Sequence, residues 1–340
     1  METITIQNNV PVLNPIVNWA DELVIHAEEP SKPIIQNLPF IEANTKEVEL
    51  SHLKEECIIP VFSKDNEVTI SHQSFIDTVL EAAYRVFPQE QITDPSIRVS
   101  HVVKGRIPEA IHKPVNQLLE TDKTIYYERM MFCFELPTLY QTIDGSRLNL
   151  TIGGVRAYNE QNLYSKKSPE KFKIFIGFKN MVCCNLCVST DGYKASVRVM
   201  DIPALLDAAV QLFRSYNMEQ HLAVMAAYQN LVMSESQFAQ LLGKCRMYQY
   251  LPACRRKQLP ELLMTDTQIG VVAKSYYDDE NFGIGDANAI SLWKVYNLFT
   301  GSNKISYIDN FLDRAHNATE VTTGLAKALQ GDIQYAWFLR

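Results

Sequence analysis

The chain has 340 residues, a formal net charge of −7 at pH 7 and 46% hydrophobic residues. These values are ordinary for a soluble globular chain that can build a full core, as one large or two medium domains. An acidic total argues against indiscriminate nucleic-acid binding, because phosphate groups attract positive surface. A local basic patch could still bind a nucleic acid.

Cysteine usage and the amino-terminal sequence predict a cytoplasmic protein with no membrane partner. The seven cysteines are irregularly spaced in a long chain, unlike a disulfide framework, so we expect reduced thiols. The first residues lack the basic and apolar regions of a signal peptide. The longest apolar-leaning run, residues 222–234, is too short to span a bilayer.

Residues 1–70 are interrupted by six prolines between Pro11 and Pro60 and show little regular periodicity. This pattern predicts an extended arm that lies over the body of the protein, with Trp19 and Phe40 as anchors. A partly disordered tail is the alternative.

Residues 71–200 are predicted to form a helix followed by an antiparallel β-sheet. Apolar residues at helical spacing predict a helix from Ser71 to Phe87. Six runs of β-branched and aromatic residues follow between 97 and 200, including one at 180–189. The dipeptides Asp144-Gly145 and Asp191-Gly192 separate such runs and predict hairpin turns.

Residues 201–340 are predicted to form a helical region. Asp201 is placed to cap the first helix, and Ser234 begins the third with Gln237 in capping-box position. Strands followed by helices indicate the α+β class. The other predicted helices cover residues 218–233, 266–277, 290–300, 304–315 and 318–329.

The segment 244–257, KCRMYQYLPACRRK, carries five positive charges and no negative one. Cations neutralise phosphate and tyrosine rings stack on unpaired bases, so this composition favours single-stranded DNA or another nucleic acid. The alternative is a basic surface that pairs with acidic groups of the protein itself. The predicted binding residues are Lys244, Arg246, Tyr248, Tyr250, Arg255, Arg256 and Lys257.

Asp309 and Asp313 lie four residues apart and therefore share one face of a helix. A metal ion, a lysine or Arg314 between them would relieve their repulsion. Together with the acidic residues of 278–286, they are the candidates for a metal-dependent hydrolase acting on nucleic acid. An internal salt-bridge network is the alternative. No catalytic or cofactor-binding motif is complete, so no cofactor is predicted.

Long stretches of the chain resemble domain-of-unknown-function family 3871, among them FAQLLGKCRMYQYLP and SLWKVYNLFTGSNKISYIDNFLDR. Two shorter pieces are more distantly similar to the phage- and plasmid-like family 932, namely a Cys-x-Asn ending at Asn185 and the spacing of Trp293, Asn297 and Arg314. The resemblance implies a mobile-element protein and marks those four residues as a candidate cleft. Arg156 is added as a basic side chain that could contact phosphate.

The function expected from these observations is a nucleic-acid-binding accessory in the DNA metabolism of a mobile element. Two alternatives stay open: the metal-dependent hydrolase, and a protein-binding module that blocks a host defence factor. The acidic surface and the extended arm would suit a protein partner.

Overall fold

The computed structural model describes residues 39–57, 69–110, 112–161 and 168–340. Most of the predicted amino-terminal arm, including Trp19, lies outside the described residues. Phe40 lies inside them and is buried. All seven cysteines fall in the described ranges and are free thiols.

Seven strands of the described chain form one antiparallel sheet, in the order β1-β2-β3-β4-β5-β6, with β7 also paired to β5. Its antiparallel pairing and the helices that follow it confirm the predicted α+β class. The strands of this sheet are β1 (Lys46–Val48), β2 (Ser96–Arg106), β3 (Lys123–Ile143), β4 (Ser146–Ala157), β5 (Glu170–Asn180), β6 (Leu186–Cys187) and β7 (Tyr193–Val199). A second, two-stranded sheet pairs β8 (Val232–Ser234) with β9 (Ala289–Ser291).

Most helices begin where the sequence places a capping side chain. Ser71, Asp201 and Ser234 each accept a hydrogen bond from a backbone N–H of the first helical turn. No helix in the described part of the chain is both long and apolar enough to cross a membrane. The helices are α1 (Leu50–Glu55), α2 (His72–Val86), α3 (Ile202–Ser215), α4 (Met218–Ala227), α5 (Glu235–Gln249), α6 (Ala253–Arg256), α7 (Asp266–Asp278), α8 (Leu292–Ser302) and α9 (Ile308–Leu329).

Helices cover both faces of the large sheet. Because side chains alternate along a strand, Phe132 belongs to the main core on the α2 side, whereas its neighbour Met131 packs with Phe311 of α9 on the other. The close approach of α2 depends on Gly154 of β4. A Cβ atom built there would lie 2.5 Å from Cζ of Phe75.

The two predicted hairpin turns have different outcomes. Asp144 and Gly145 both have positive φ (48° and 72°), and they join β3 to β4 in a two-residue turn as predicted. The prediction for Asp191-Gly192 was wrong, because β6 and β7 do not pair with each other. Both pair with β5, at different positions along it.

Three other element predictions were wrong. The run at 180–189 forms a turn before the short β6, because Asn180 accepts backbone hydrogen bonds from the following residues and Cys184 has φ of +59°. The helix predicted over 218–233 ends at Ala227 and leads into β8. The helices predicted over 304–315 and 318–329 are the single helix α9, since the Asn317 side chain bonds the backbone of residues 261 and 263 and does not interrupt its own helix.

Candidate functional site

The basic segment 244–257 begins in the last turns of α5 and continues into a short helical turn around α6. The N–H of Arg256 donates to the Pro252 carbonyl at 3.0 Å, and the N–H of Lys257 to the Ala253 carbonyl at 3.1 Å. The backbone is therefore satisfied by the turn itself, and the side chains of residues 253–258 are exposed.

Three of the seven predicted binding residues contact other parts of the protein. Arg246 makes a bidentate ion pair with Asp266, with N–O distances of 2.7 and 2.9 Å. The ammonium of Lys244 lies 4.9 Å from the centre of the Trp337 ring. The prediction that Tyr248 stacks on a base is corrected, because the residue is only 5% exposed and its ring packs against the carboxy-terminal segment.

The other four predicted residues are available to a ligand. Tyr250 is 80% exposed, and Arg255, Arg256 and Lys257 are exposed side chains. None of these three cations forms an ion pair with another described residue, whereas Arg246 does. We refer to Arg255, Arg256 and Lys257 as the cationic turn.

Three of the five predicted cleft residues meet in a buried polar network. The Asn297 amide donates to the Trp293 carbonyl at 2.9 Å, and the Asn185 amide donates to the Asn297 carbonyl at 3.0 Å. Asn180, which was not among the predicted site residues, donates to the side-chain oxygen of Asn297 at 3.0 Å. The network fastens α8 to the turn after β5, and its members are at most 2% exposed.

The other two cleft residues lie apart from this network. Arg314 is half-buried and donates to the Ser306 hydroxyl at 2.9 Å; burial lowers the pKa of its guanidinium, although Asp309 and Asp313 oppose the shift. Arg156 is fully buried between the rings of Tyr158 and Phe172, at 4.6 and 4.3 Å from their centres, and forms an ion pair with Glu170. The five residues therefore do not line one cleft.

Asp309 and Asp313 are neutralised by cations of the sheet. The Lys173 ammonium lies 2.8 Å from Asp313 and also donates to the Asp309 carbonyl, while the Arg129 guanidinium is 3.6 Å from the Asp309 carboxylate. Tyr193 donates to Asp313 at 2.6 Å, and burial together with that carboxylate raises the pKa of the phenol. These contacts are the internal salt-bridge network, and they anchor α9 to the sheet.

The acidic residues of 278–286 contribute no metal centre to the described structure. Asp279 uses one carboxylate oxygen to accept the N–H groups of Asn281 and Phe282, both at 2.9 Å, and so closes its own turn. No group of three or more histidine, cysteine, aspartate and glutamate side chains placed to hold a metal ion occurs among the described residues.

The sequence allowed a lysine between the two aspartates, but it did not identify Lys173 or Arg129 as their partners. Lys173 lies between Phe172 and Ile174, so it is easily taken as part of an apolar run. The alternation of strand side chains was the available signal, because it turns Lys173 away from its two apolar neighbours and towards α9. Arg129, 180 residues before Asp309, carried no such local signal.

Comparison with known proteins gives a family but no activity. No curated protein and no solved structure matches the chain. The similarity to the phage- and plasmid-like family 932, and with it the mobile-element origin, finds no support in the comparisons. Residues 20–339 match the family model described as "Domain of unknown function, B. Theta Gene description (DUF3871)". Since the match covers nearly the whole sequence, the chain belongs to the domain-of-unknown-function family DUF3871.

Proposed function

We propose that the protein binds single-stranded nucleic acid through Tyr250 and the cationic turn. The observation that carries the proposal is the position of three exposed cations without a counter-ion among the described residues, close in sequence to an exposed tyrosine. Cations neutralise the phosphates of a strand, and an exposed aromatic ring offers a stacking surface to any base. The expected ligand is therefore a strand bound without strong sequence preference.

The contrast with the buried and half-buried cations of the protein supports this choice of surface. The chain carries a net charge of −7, and the buried or half-buried cations Lys173, Lys179 and Arg156 all have carboxylate partners. Their charge is used within the fold. The charge of the cationic turn is not neutralised by any carboxylate in the described part of the chain, so it can attract a polyanion.

Fluorescence anisotropy with a labelled 20-residue oligothymidylate tests the proposal. If the three cations each contact a phosphate of the single strand, a plot of the logarithm of the binding constant against the logarithm of salt concentration should have a slope of about −2. The triple variant Arg255→Glu/Arg256→Glu/Lys257→Glu should lose binding, and Tyr250→Ala should weaken it at least about fivefold, the lower end of one base-stacking contact.

Arg214→Glu is the matched control, since Arg214 is an exposed cation on α3. It should bind the oligonucleotide as the parent protein does. Binding that does not depend on salt, or that survives in the triple variant, would overturn the proposal. If heparin and the oligonucleotide bind equally well and Tyr250→Ala has no effect, the surface binds polyanions in general and not single-stranded nucleic acid in particular.

The resemblance described from the sequence suggests the biological setting of such binding. A protein that holds single strands would serve as an accessory in the DNA metabolism of a phage, plasmid or conjugative element. The metal-dependent hydrolase, one of the two alternatives, was suggested by Asp309 and Asp313 as metal ligands. Because Lys173 and Arg129 neutralise these two aspartates, that suggestion no longer has support.

A further inference from the structure

Strand β2 has a long edge that is open among the described residues. The short β1 pairs with Ile97, Arg98 and Val99 only. From Ser100 to Arg106, β2 pairs with β3 on one side, and no strand of the described chain pairs with it on the other. Alternate residues of an edge strand present unpaired N–H and C=O groups, which form a template for another strand.

Side chains along this edge have a distinct chemical pattern. Val102 is 53% exposed, and Lys104 follows on the same face two residues later. Lys104 has no carboxylate partner among the described residues. Arg106, next on that face, donates to the Lys113 carbonyl at 2.7 Å and likewise pairs with no described carboxylate. Along this face of the open edge, the side chains are therefore apolar at Val102 and positively charged at Lys104 and Arg106.

Neighbouring cations of the same hairpin are already neutralised. Lys113 lies 2.6 Å from Asp122, and Lys123 lies 2.5 Å from Glu120. Within the described structure, positive charge without a counter-ion therefore remains on the strand itself, in a chain whose net charge is negative. A partner strand with carboxylates opposite Lys104 and Arg106 would supply the missing negative charges.

We propose that the β2 edge binds an extended acidic peptide of a partner protein as an added antiparallel strand. In that register an apolar residue lies opposite Val102, and carboxylates lie opposite Lys104 and Arg106. The partner segment would read Glu-x-Glu-x-apolar from its amino end, because antiparallel pairing reverses the order. Main-chain hydrogen bonds would hold the peptide, and the alternate side chains would select it.

A second copy of this chain fits the edge less well than such a peptide. Strand β2 contains no aspartate or glutamate, so pairing β2 with β2 would leave every cation of both edges without a partner. It would also bring together two molecules that each carry a net charge of −7.

The test uses the full chain and a fluorescein-labelled peptide, Thr-Glu-Thr-Glu-Thr-Val-Thr, measured by anisotropy. We expect saturable binding, and no binding for a peptide with lysine in place of glutamate or for one N-methylated at alternate residues. Lys104→Glu should weaken binding about tenfold, because it replaces an attractive cross-strand pair with a repulsive one. Lys274→Glu, which changes an exposed lysine of α7, should leave binding unchanged.

Equal affinity for the glutamate and lysine peptides, or no effect of N-methylation, would overturn the proposal. No binding would also overturn it. If the protein forms dimers that Lys104→Glu strengthens, the occupant is a second copy and the peptide assignment is wrong. None of these outcomes bears on the cationic turn, which the oligonucleotide experiment tests separately.

Discussion

Two buried histidines should make the protein lose stability in mild acid. His72 donates from Nε2 to the Tyr127 carbonyl at 2.8 Å, and Nδ1 of His221 lies 2.7 Å from the Tyr216 hydroxyl. The other ring nitrogen of each histidine is buried and has no hydrogen-bond partner among the described residues. Burial lowers the pKa of His72 to about 3 and that of His221 to about 4, from an ordinary value of 6.5.

These pKa values fix the sign and the pH window of the effect. In the unfolded chain both imidazoles bind protons below about pH 6.5, whereas in the folded chain they stay neutral until about pH 4. Proton binding therefore favours the unfolded state, and stability falls as the pH is lowered through this window. Between pH 7 and pH 5 each histidine should remove about 2 kcal/mol, or about 4 kcal/mol together.

Urea unfolding followed by tryptophan fluorescence at pH 7 and pH 5 measures this loss. The variant His72→Gln/His221→Gln should be less stable at pH 7, because it loses buried packing, but its stability should change much less between the two pH values. The control His112→Gln removes an exposed imidazole and should keep the parent pH dependence. If the double variant loses as much stability as the parent between pH 7 and pH 5, the two histidines are not the cause.

Two further predictions concern the packing of the sheet. Gly154→Ala should lower the free energy of unfolding by about 1–3 kcal/mol, because the new Cβ would lie 2.5 Å from Phe75. Gly243→Ala lies in open space on α5 and should raise the free energy of unfolding by about 0.5–1 kcal/mol. Lys173→Met should cost about 1–3 kcal/mol, because it leaves the partly buried Asp313 without its cation, and adding Asp313→Asn should recover part of that loss. Urea denaturation measures the free energy of unfolding of every variant. Equal effects of the two glycine variants would contradict the packing described. So would a double variant Lys173→Met/Asp313→Asn that is no more stable than Lys173→Met alone.

Local chemistry in the sequence was sufficient to predict many element boundaries. Asp201 and Ser234 cap their helices as predicted, because a carboxylate or hydroxyl at the first position satisfies a backbone N–H of the first turn. The turn at Asp144-Gly145 formed because both residues tolerate positive φ. Each of these features depends on residues within one turn of each other, and a sequence displays such relations directly.

Relations between distant residues were not predictable in the same way. Nothing near Asp191-Gly192 indicates that β6 and β7 both pair with β5, because the choice of partner is made by the sheet as a whole. The pairing of Arg246 with Asp266, twenty residues later, depends on how α5 meets α7. The burial of Tyr248, by contrast, was predictable from local spacing. Tyr248 lies on one helical stripe with the buried Leu241 and Cys245, whereas Tyr250 does not.

The two proposed surfaces can be separated because they recognise different groups. A strand of nucleic acid is held mainly by phosphate charge, so its affinity for the cationic turn should fall steeply with salt. A peptide on the β2 edge is held mainly by backbone hydrogen bonds, so N-methylation should abolish binding and salt should affect only the contribution of Lys104 and Arg106. If the oligonucleotide displaced the peptide, both ligands would occupy one site. Independent binding would instead mean that the protein can hold a nucleic-acid strand and a protein partner together.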